Sequence, residues 1–182
     1  MTQKIQFLIV FLLFGSALFS QEAVKEKKLV NFGFQKFNGN RKISSLIIHS
    51  TFNASFPNTA KPDSFSVDGV LKQFKKYKVS AHYLIDRNGV IHQLVNDNDV
   101  SWHAGKGVLP NGNTNINSTS IGIEIMCTYN NGPNEKQYNA LQSLIHELDS
   151  KYKFKYILRH SDIAPGRKTD PWNFTRNDFF RK

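Results

Sequence analysis

His160-Ser161-Asp162-Ile163-Ala164-Pro165-Gly166-Arg167-Lys168-Thr169-Asp170-Pro171 follows a short apolar run, Tyr156–Leu158, that reads as a last strand. Pro165, Gly166 and Pro171 interrupt both helix and strand, so the stretch reads as a loop that can turn Asp170 back toward His160. Upstream, Leu46-Ile47-Ile48 is a continuous apolar run of the kind found in a buried strand, and it ends at His49. Two strand-end imidazoles and one loop carboxylate, His49, His160 and Asp170, make a donor set that suits a catalytic zinc with one position left to water. Taken singly, each has an ordinary structural reading: a satisfied histidine at a strand end, a turn aspartate before proline.

Between these ends, strands and helices alternate. Val67, Val70, Leu71 and Phe74 recur at helical spacing, so 66–78 reads as an amphipathic helix. His82–Ile85 and Val90–Val95 flank Asp86-Arg87-Asn88-Gly89, where Asn-Gly signals a hairpin turn. The Gly- and Asn-rich segment 96–119 reads as one long functional loop. Ser120–Met126 reads as a buried strand. Tyr138, Leu141, Leu144, Ile145, Leu148 and Tyr152 mark one face of a second helix capped by Asn134. Thr175 is the expected cap of a terminal helix. This order implies an α/β fold, with a mixed central sheet flanked by helices.

The 182 residues suit one domain of ordinary size, and 40% hydrophobic content with 15 phenylalanines supplies a real core. Lys4 followed by the apolar run Ile5–Phe19 reads as a signal peptide over 1–20, cleaved after Ala17 or Ser20 and too short for comfortable membrane spanning. Residues 21–43 read as a polar leader and 44–182 as the working domain. Cys127, the single cysteine, lies in an apolar run and reads as buried and inert. The net charge of +10 suits a polyanion, but no helix-turn-helix, finger or RNA-binding signature points to nucleic acid.

The 160–171 string resembles the zinc amidase family of bacterial N-acetylmuramoyl-L-alanine amidases, phage lysozyme-type amidases and animal peptidoglycan recognition proteins. The resemblance spans 44–174 and includes Leu46-Ile47-Ile48-His49, Ser80-Ala81-His82-Tyr83-Leu84-Ile85-Asp86-Arg87-Asn88-Gly89, Ser101-Trp102-His103-Ala104-Gly105 and Ser120-Ile121-Gly122-Ile123-Glu124. It implies a peptidoglycan recognition protein-like amidase fold, with His49, His160 and Asp170 as Zn2+ ligands. Glu124 then corresponds to the proton-handling carboxylate and Lys168 to the lysine beside the third ligand. The phage and animal branches carry tyrosine before the hairpin histidine and cysteine as third ligand. Ala81 and Asp170 stand here, as in the bacterial branch. Trp172 departs from the glycine usual after Asp-Pro.

The implied activity is hydrolysis of the amide between N-acetylmuramic acid and L-alanine in peptidoglycan or muropeptides, by an exported, periplasmic or secreted monomer without stable membrane insertion. His103 is expected on the substrate side, with Trp102 either stacking on a sugar or packing, and His82 in a structural hydrogen bond. The rival reading is a non-catalytic peptidoglycan-binding domain. A zincin-type peptidase is disfavoured because the sequence contains no His-Glu-x-x-His.

Overall fold

In a computed structural model, residues 23–54 and 65–182 are described. The expected signal peptide lies outside them. Among the described residues, eight strands and four helices follow one another: β1 (Lys25–Lys27), β2 (Phe34–Gln35), β3 (Ser45–Thr51), α1 (Val67–Tyr77), β4 (Tyr83–Ile85), β5 (Ile91–Gln93), β6 (Val100–Ser101), α2 (Ile116–Thr119), β7 (Ser120–Met126), α3 (Glu135–Tyr152), β8 (Tyr156–Arg159) and α4 (His160–Ile163). Six strands form a mixed sheet ordered β1-β5-β4-β7-β3-β8, and β2 pairs with β6 apart from it. β3 lies between β7 and β8 and is parallel to both, while β4 and β5 form the antiparallel hairpin.

Strand alternation sorts the side chains onto two faces. Leu46 and Ile48 of β3 join Ile121, Ile123 and Ile125 of β7 under Tyr138, Leu141, Leu144 and Leu148 of α3. On the other face, Ile47 packs with Leu158, Ala104, Ile116 and Ile163. Further along, Leu84 packs with Val70 and Phe74 of α1. Covering both faces explains why β3 and β7 read as near-continuous apolar runs.

Local chemistry sets the boundaries. Ser66 caps α1 by accepting from the Gly69 N–H, and Lys78 ends it in the left-handed region at φ 54°. Asn134 and Gln137 cap α3 reciprocally: each side-chain oxygen accepts from the other's backbone N–H, at 3.0 and 3.2 Å. The hairpin turn is held by Asp86 Oδ1, which accepts from the Asn88 and Val90 N–H groups. Gly89 sits there at φ 81°, and a Cβ on it would lie 2.7 Å from the Lys136 carbonyl oxygen.

Three expectations need correction. Residues 23–43, within the expected leader, do not stand apart from the domain: β1 adds to the sheet edge beside β5, and Arg41 is buried at 7% exposure. The 96–119 segment contains β6 and α2. Thr175 caps no helix. Its N–H donates to the Tyr138 hydroxyl at 3.0 Å, and the chain end pairs Arg181 with Ile157 while Phe174 and Phe179 pack on the core. Aromatic burial there outcompetes a short helix that would have no partner face.

Arg41 shows how the N-terminal segment is secured. Its guanidinium donates to the carbonyls of Asp97, Asn117 and Ser120 at 2.6 to 2.9 Å, tying the long segment and β7 together. Burial pulls its pKa down to about 10, so it remains charged at neutral pH. Arg41→Ala leaves three carbonyls without their donor. It should lower stability by about 3 kcal/mol or more, read as a lower urea midpoint at unchanged slope.

Candidate metal centre

Register places the donors. β3 and β7 pair with His49 opposite Glu124, and β3 and β8 pair with Ile48 opposite Arg159. His160, one residue further on, therefore emerges level with His49 at the carboxyl ends of the parallel strands, the usual place for a site in such sheets. The 160–170 loop returns because the Ser161 N–H donates to the Asp170 carbonyl at 3.0 Å.

His49, His160 and Asp170 are all buried and their donor atoms converge. His49 Nδ1 lies 2.9 Å from His160 Nδ1, and Asp170 Oδ2 lies 3.1 Å from His160 Nδ1 and 3.5 Å from His49 Nδ1. Ligand atoms about 2.0–2.2 Å from a tetrahedral zinc stand roughly 3.3–3.6 Å apart, so a small widening of this triangle separates the observed spacing from that of a bound ion. The outer nitrogen of His160 faces the Ala104 carbonyl at 2.9 Å. A carbonyl only accepts, so Nε2 carries the proton and Nδ1 presents a lone pair to the Asp170 carboxylate. Two electron-rich atoms 3.1 Å apart in a dry site call for a cation between them. The residues fit a metal such as zinc.

Electrostatics point the same way. Burial and the neighbouring His160 pull the His49 pKa down to about 4, so its ring is neutral, as a ligand must be. Asp170 is held well below the ordinary carboxylate range: burial pushes its pKa up, and the two neighbouring imidazoles pull it down by more.

Glu124 stands on β7 beside this triangle. Its Oε2 is buried without a hydrogen-bond partner, so the surface ion pair that would be its ordinary structural role is not formed. Burial, reinforced by the Asp170 charge and opposed by Lys168, pushes its pKa well above the usual value. Lys168 is held at the turn by its N–H, which donates to the Ala164 carbonyl at 3.0 Å. Cys127 is buried with its thiol pushed up to about 11 by burial, an unreactive state.

The two expected substrate contacts lie in different settings. The His103 ring lies behind His49, with Nδ1 2.9 Å from His49 Nε2 and Nε2 3.1 Å from Ser120 Oγ. Both ring nitrogens are engaged and the residue is buried. Trp102 has its backbone tied to Gly33 while its side chain is exposed. His82 is structural: Nδ1 accepts from the Gly122 N–H at 3.0 Å, and Nε2 donates to the Asp99 carbonyl.

The sequence reading missed Ser120, Asn117 and Gly122. A Cβ on Gly122 would lie 2.4 Å from His103 Cγ, and a glycine inside a buried strand is a signal for such a close approach. Trp172, the departure from the family pattern, stacks at 4.3 Å on Tyr129 and meets Phe52 edge-on, forming an aromatic wall over the loop that carries Asp170.

The raised Glu124 pKa has a stability consequence with a definite sign. The folded state disfavours the ionised carboxylate, so this group's contribution is favourable at low pH and is lost as pH rises above its unfolded value. The melting temperature of Glu124→Gln relative to the unsubstituted chain should therefore rise between pH 5 and pH 8. A difference independent of pH would mean that Glu124 is not held in this way.

The family described as N-acetylmuramoyl-L-alanine amidase matches residues 39–173. Over 100 residues the chain is 40% identical to 1,6-anhydro-N-acetylmuramyl-L-alanine amidase AmpD of Haemophilus influenzae, covering 53% of this chain and 54% of that protein. It is 34% identical over 151 residues to N-acetylmuramoyl-L-alanine amidase AmiD of Escherichia coli, covering 71% of this chain and 49% of that one. The matches thus span about half the length of these relatives. The solved structure of an AmpD selenomethionine derivative is similar at TM-score 0.60 and 28% identity, over 84% of this chain and 89% of that one. Escherichia coli AmiD in complex with the substrate anhydro-N-acetylmuramic acid-L-Ala-D-gamma-Glu-L-Lys is similar at TM-score 0.59 and 29% identity, over 76% of this chain and 61% of that one. The mixed sheet with flanking helices is the amidase fold that the sequence implied. Since the family match takes in every donor of the triangle together with Glu124 and Lys168, the chain belongs to the N-acetylmuramoyl-L-alanine amidase family.

Proposed function

We propose that the chain is a zinc-dependent amidase that hydrolyses the amide between N-acetylmuramic acid and L-alanine in peptidoglycan or muropeptides. The observation that carries this reading is the convergence of His49, His160 and Asp170 beside a buried carboxylate with an unpartnered oxygen. His49, His160 and Asp170 would hold the metal. Zinc there would supply Lewis acidity, polarising the scissile carbonyl and acidifying a water toward pH 7. The names of AmpD and of the AmiD complex make 1,6-anhydro-muramyl peptides the first substrates to assay.

The chain's own residues then have separable tasks. Glu124, ionised, takes a proton from the attacking water at its carboxylate oxygen and returns it to the amide nitrogen as the C–N bond breaks. Burial raises its pKa, so its carboxylate takes up a proton more readily than an exposed glutamate would. The Lys168 ammonium stabilises the negative charge that develops on the carbonyl oxygen. The Trp172, Tyr129 and Phe52 rings pack on one another beside the loop bearing Asp170. A purely binding role would leave the unpaired, buried Glu124 as a standing loss of stability without return, which disfavours the non-catalytic reading.

Zinc content and release of L-alanine-terminated stem peptides, measured together, test the assignment. His49→Ala and His160→Ala should lose both stoichiometric zinc and rate. Glu124→Gln should keep zinc and lose about 100- to 10,000-fold in rate. Lys168→Ala should also keep zinc and lose rate. In the unsubstituted chain, kcat/KM should fall on acidification along a limb lying above the ordinary glutamate value of about 4.3. Full zinc with no peptide release from sacculi or anhydro-muropeptides would favour the binding-only reading.

We also propose export with removal of residues 1–20, supported by Lys4 and the apolar run Ile5–Phe19. Among the described residues no helix is long and apolar enough to cross a membrane. Mass spectrometry of the chain from its native cells should find a first residue between 18 and 21; an intact Met1 with its apolar run would reject cleavage.

A further inference from the structure

The protonation pattern of His49 determines what the buried triangle is. If Nδ1 carried the proton, it would donate to His160 Nδ1 or to Asp170, and the three groups would form a self-satisfied hydrogen-bonded trio needing no ion. If Nε2 carries it, all three facing atoms are bare donors and the triangle is a cradle for a cation. The choice is made on the far side of the ring.

There the hydrogen bonds run in one direction. The Ser120 hydroxyl donates to the Ile116 carbonyl at 2.7 Å, so toward His103 its oxygen accepts. His103 Nε2 therefore bears the proton, and His103 Nδ1 is left as a lone pair. That lone pair, 2.9 Å from His49 Nε2, accepts the His49 proton, which leaves His49 Nδ1 bare. On the other side the Ala104 carbonyl fixes His160 in the same tautomer. The two outer partners are neighbours in the chain. The His103 and Ala104 N–H groups both donate to Asn117 Oδ1, at 3.3 and 2.9 Å, so α2 anchors them as a unit. The Arg167 guanidinium also donates to the Ala104 carbonyl, at 3.1 Å.

Resting on the zinc reading above, we infer that the His103-Ala104 segment, backed by Ser120 and Asn117, is a tautomer clamp that turns both histidine Nδ1 lone pairs toward the metal. His103 is thus a positioning residue for the metal and not a substrate contact. Outer partners of this kind fix ring orientation and raise ligand basicity. Gly122 is part of the device, because any side chain there would occupy the space of the His103 ring. The clamp also gives a task to His103 and Ala104 of the Ser101-Trp102-His103-Ala104-Gly105 motif, of which the donor triangle uses nothing directly.

Two measurements on the full mature chain test this. Zinc affinity, read by chelator competition, should fall about 10- to 100-fold in His103→Leu. Ser120→Ala should weaken zinc by a smaller factor. His103→Asn, whose side-chain oxygen can replace Nδ1 as acceptor, should stay near the unsubstituted value. Melting curves recorded with excess chelator should match across the variants, which locates the loss at the metal. In the unsubstituted zinc-loaded protein, 15N NMR of the imidazoles should show His103 protonated at Nε2 alone. Undiminished zinc affinity in His103→Leu, or a proton on His103 Nδ1, would overturn the clamp while leaving the zinc reading intact. An unsubstituted chain that binds no zinc would overturn both. If His103→Leu fails to fold, the NMR reading decides.

Discussion

Parallel pairing of β3 between β7 and β8 is the constraint from which the site follows. A parallel ladder keeps strand ends together, so His49, Glu124 and His160 come to one edge although 111 residues separate the two histidines. The same pairing buries both faces of β3. Water is thereby excluded, and the charges and lone pairs of the donors act on one another nearly unscreened. Register is held by the alternation of Leu46 and Ile48 against Ile47 and His49. A slip of one residue would drive His49 into the α3 core and Ile48 into the site.

The burial that makes the site strong also makes it expensive. Asp170 keeps its charge because the two imidazoles beside it hold its pKa well below the ordinary carboxylate range. Glu124 has no such partner for Oε2 and is pushed toward the neutral form. Two carboxylates on one wall thus acquire opposite tendencies from their surroundings. Asp170 is fit to be a permanent anion and ligand, while Glu124 is fit to gain and lose a proton. That division arises from partners and burial, since the two side chains are chemically alike.

Around this centre the protein arranges support at increasing distance. His103 and Ala104 contact the outer nitrogens of His49 and His160, and Ser120 contacts His103 in turn. Asn117 and Arg167 hold that segment, and Arg41 ties Asn117 and Ser120 carbonyls to the N-terminal segment. The edge strand β1 and the Arg41 anchor therefore belong to the architecture of the site even though they read as a leader in the sequence. Their composition is polar, and what they contribute is backbone pairing and one buried guanidinium, neither of which leaves a hydrophobic period to detect.

By itself the sequence determined the helices α1 and α3 with their caps, the hairpin, the two buried strands, and the identity of the donors His49, His160 and Asp170. These are legible because they depend on local chemistry: side-chain periodicity, a capping residue, a turn glycine, or a motif of fixed spacing. Only the tertiary structure decided that the C-terminal residues form no helix, that 23–43 joins the fold, and that His103 stands behind His49 with Ser120 as its partner. Each of these turns on contacts between residues distant in the chain. A histidine's role in particular is set by which groups meet its two nitrogens, and that is a property of the folded surroundings that no residue carries in its own letter.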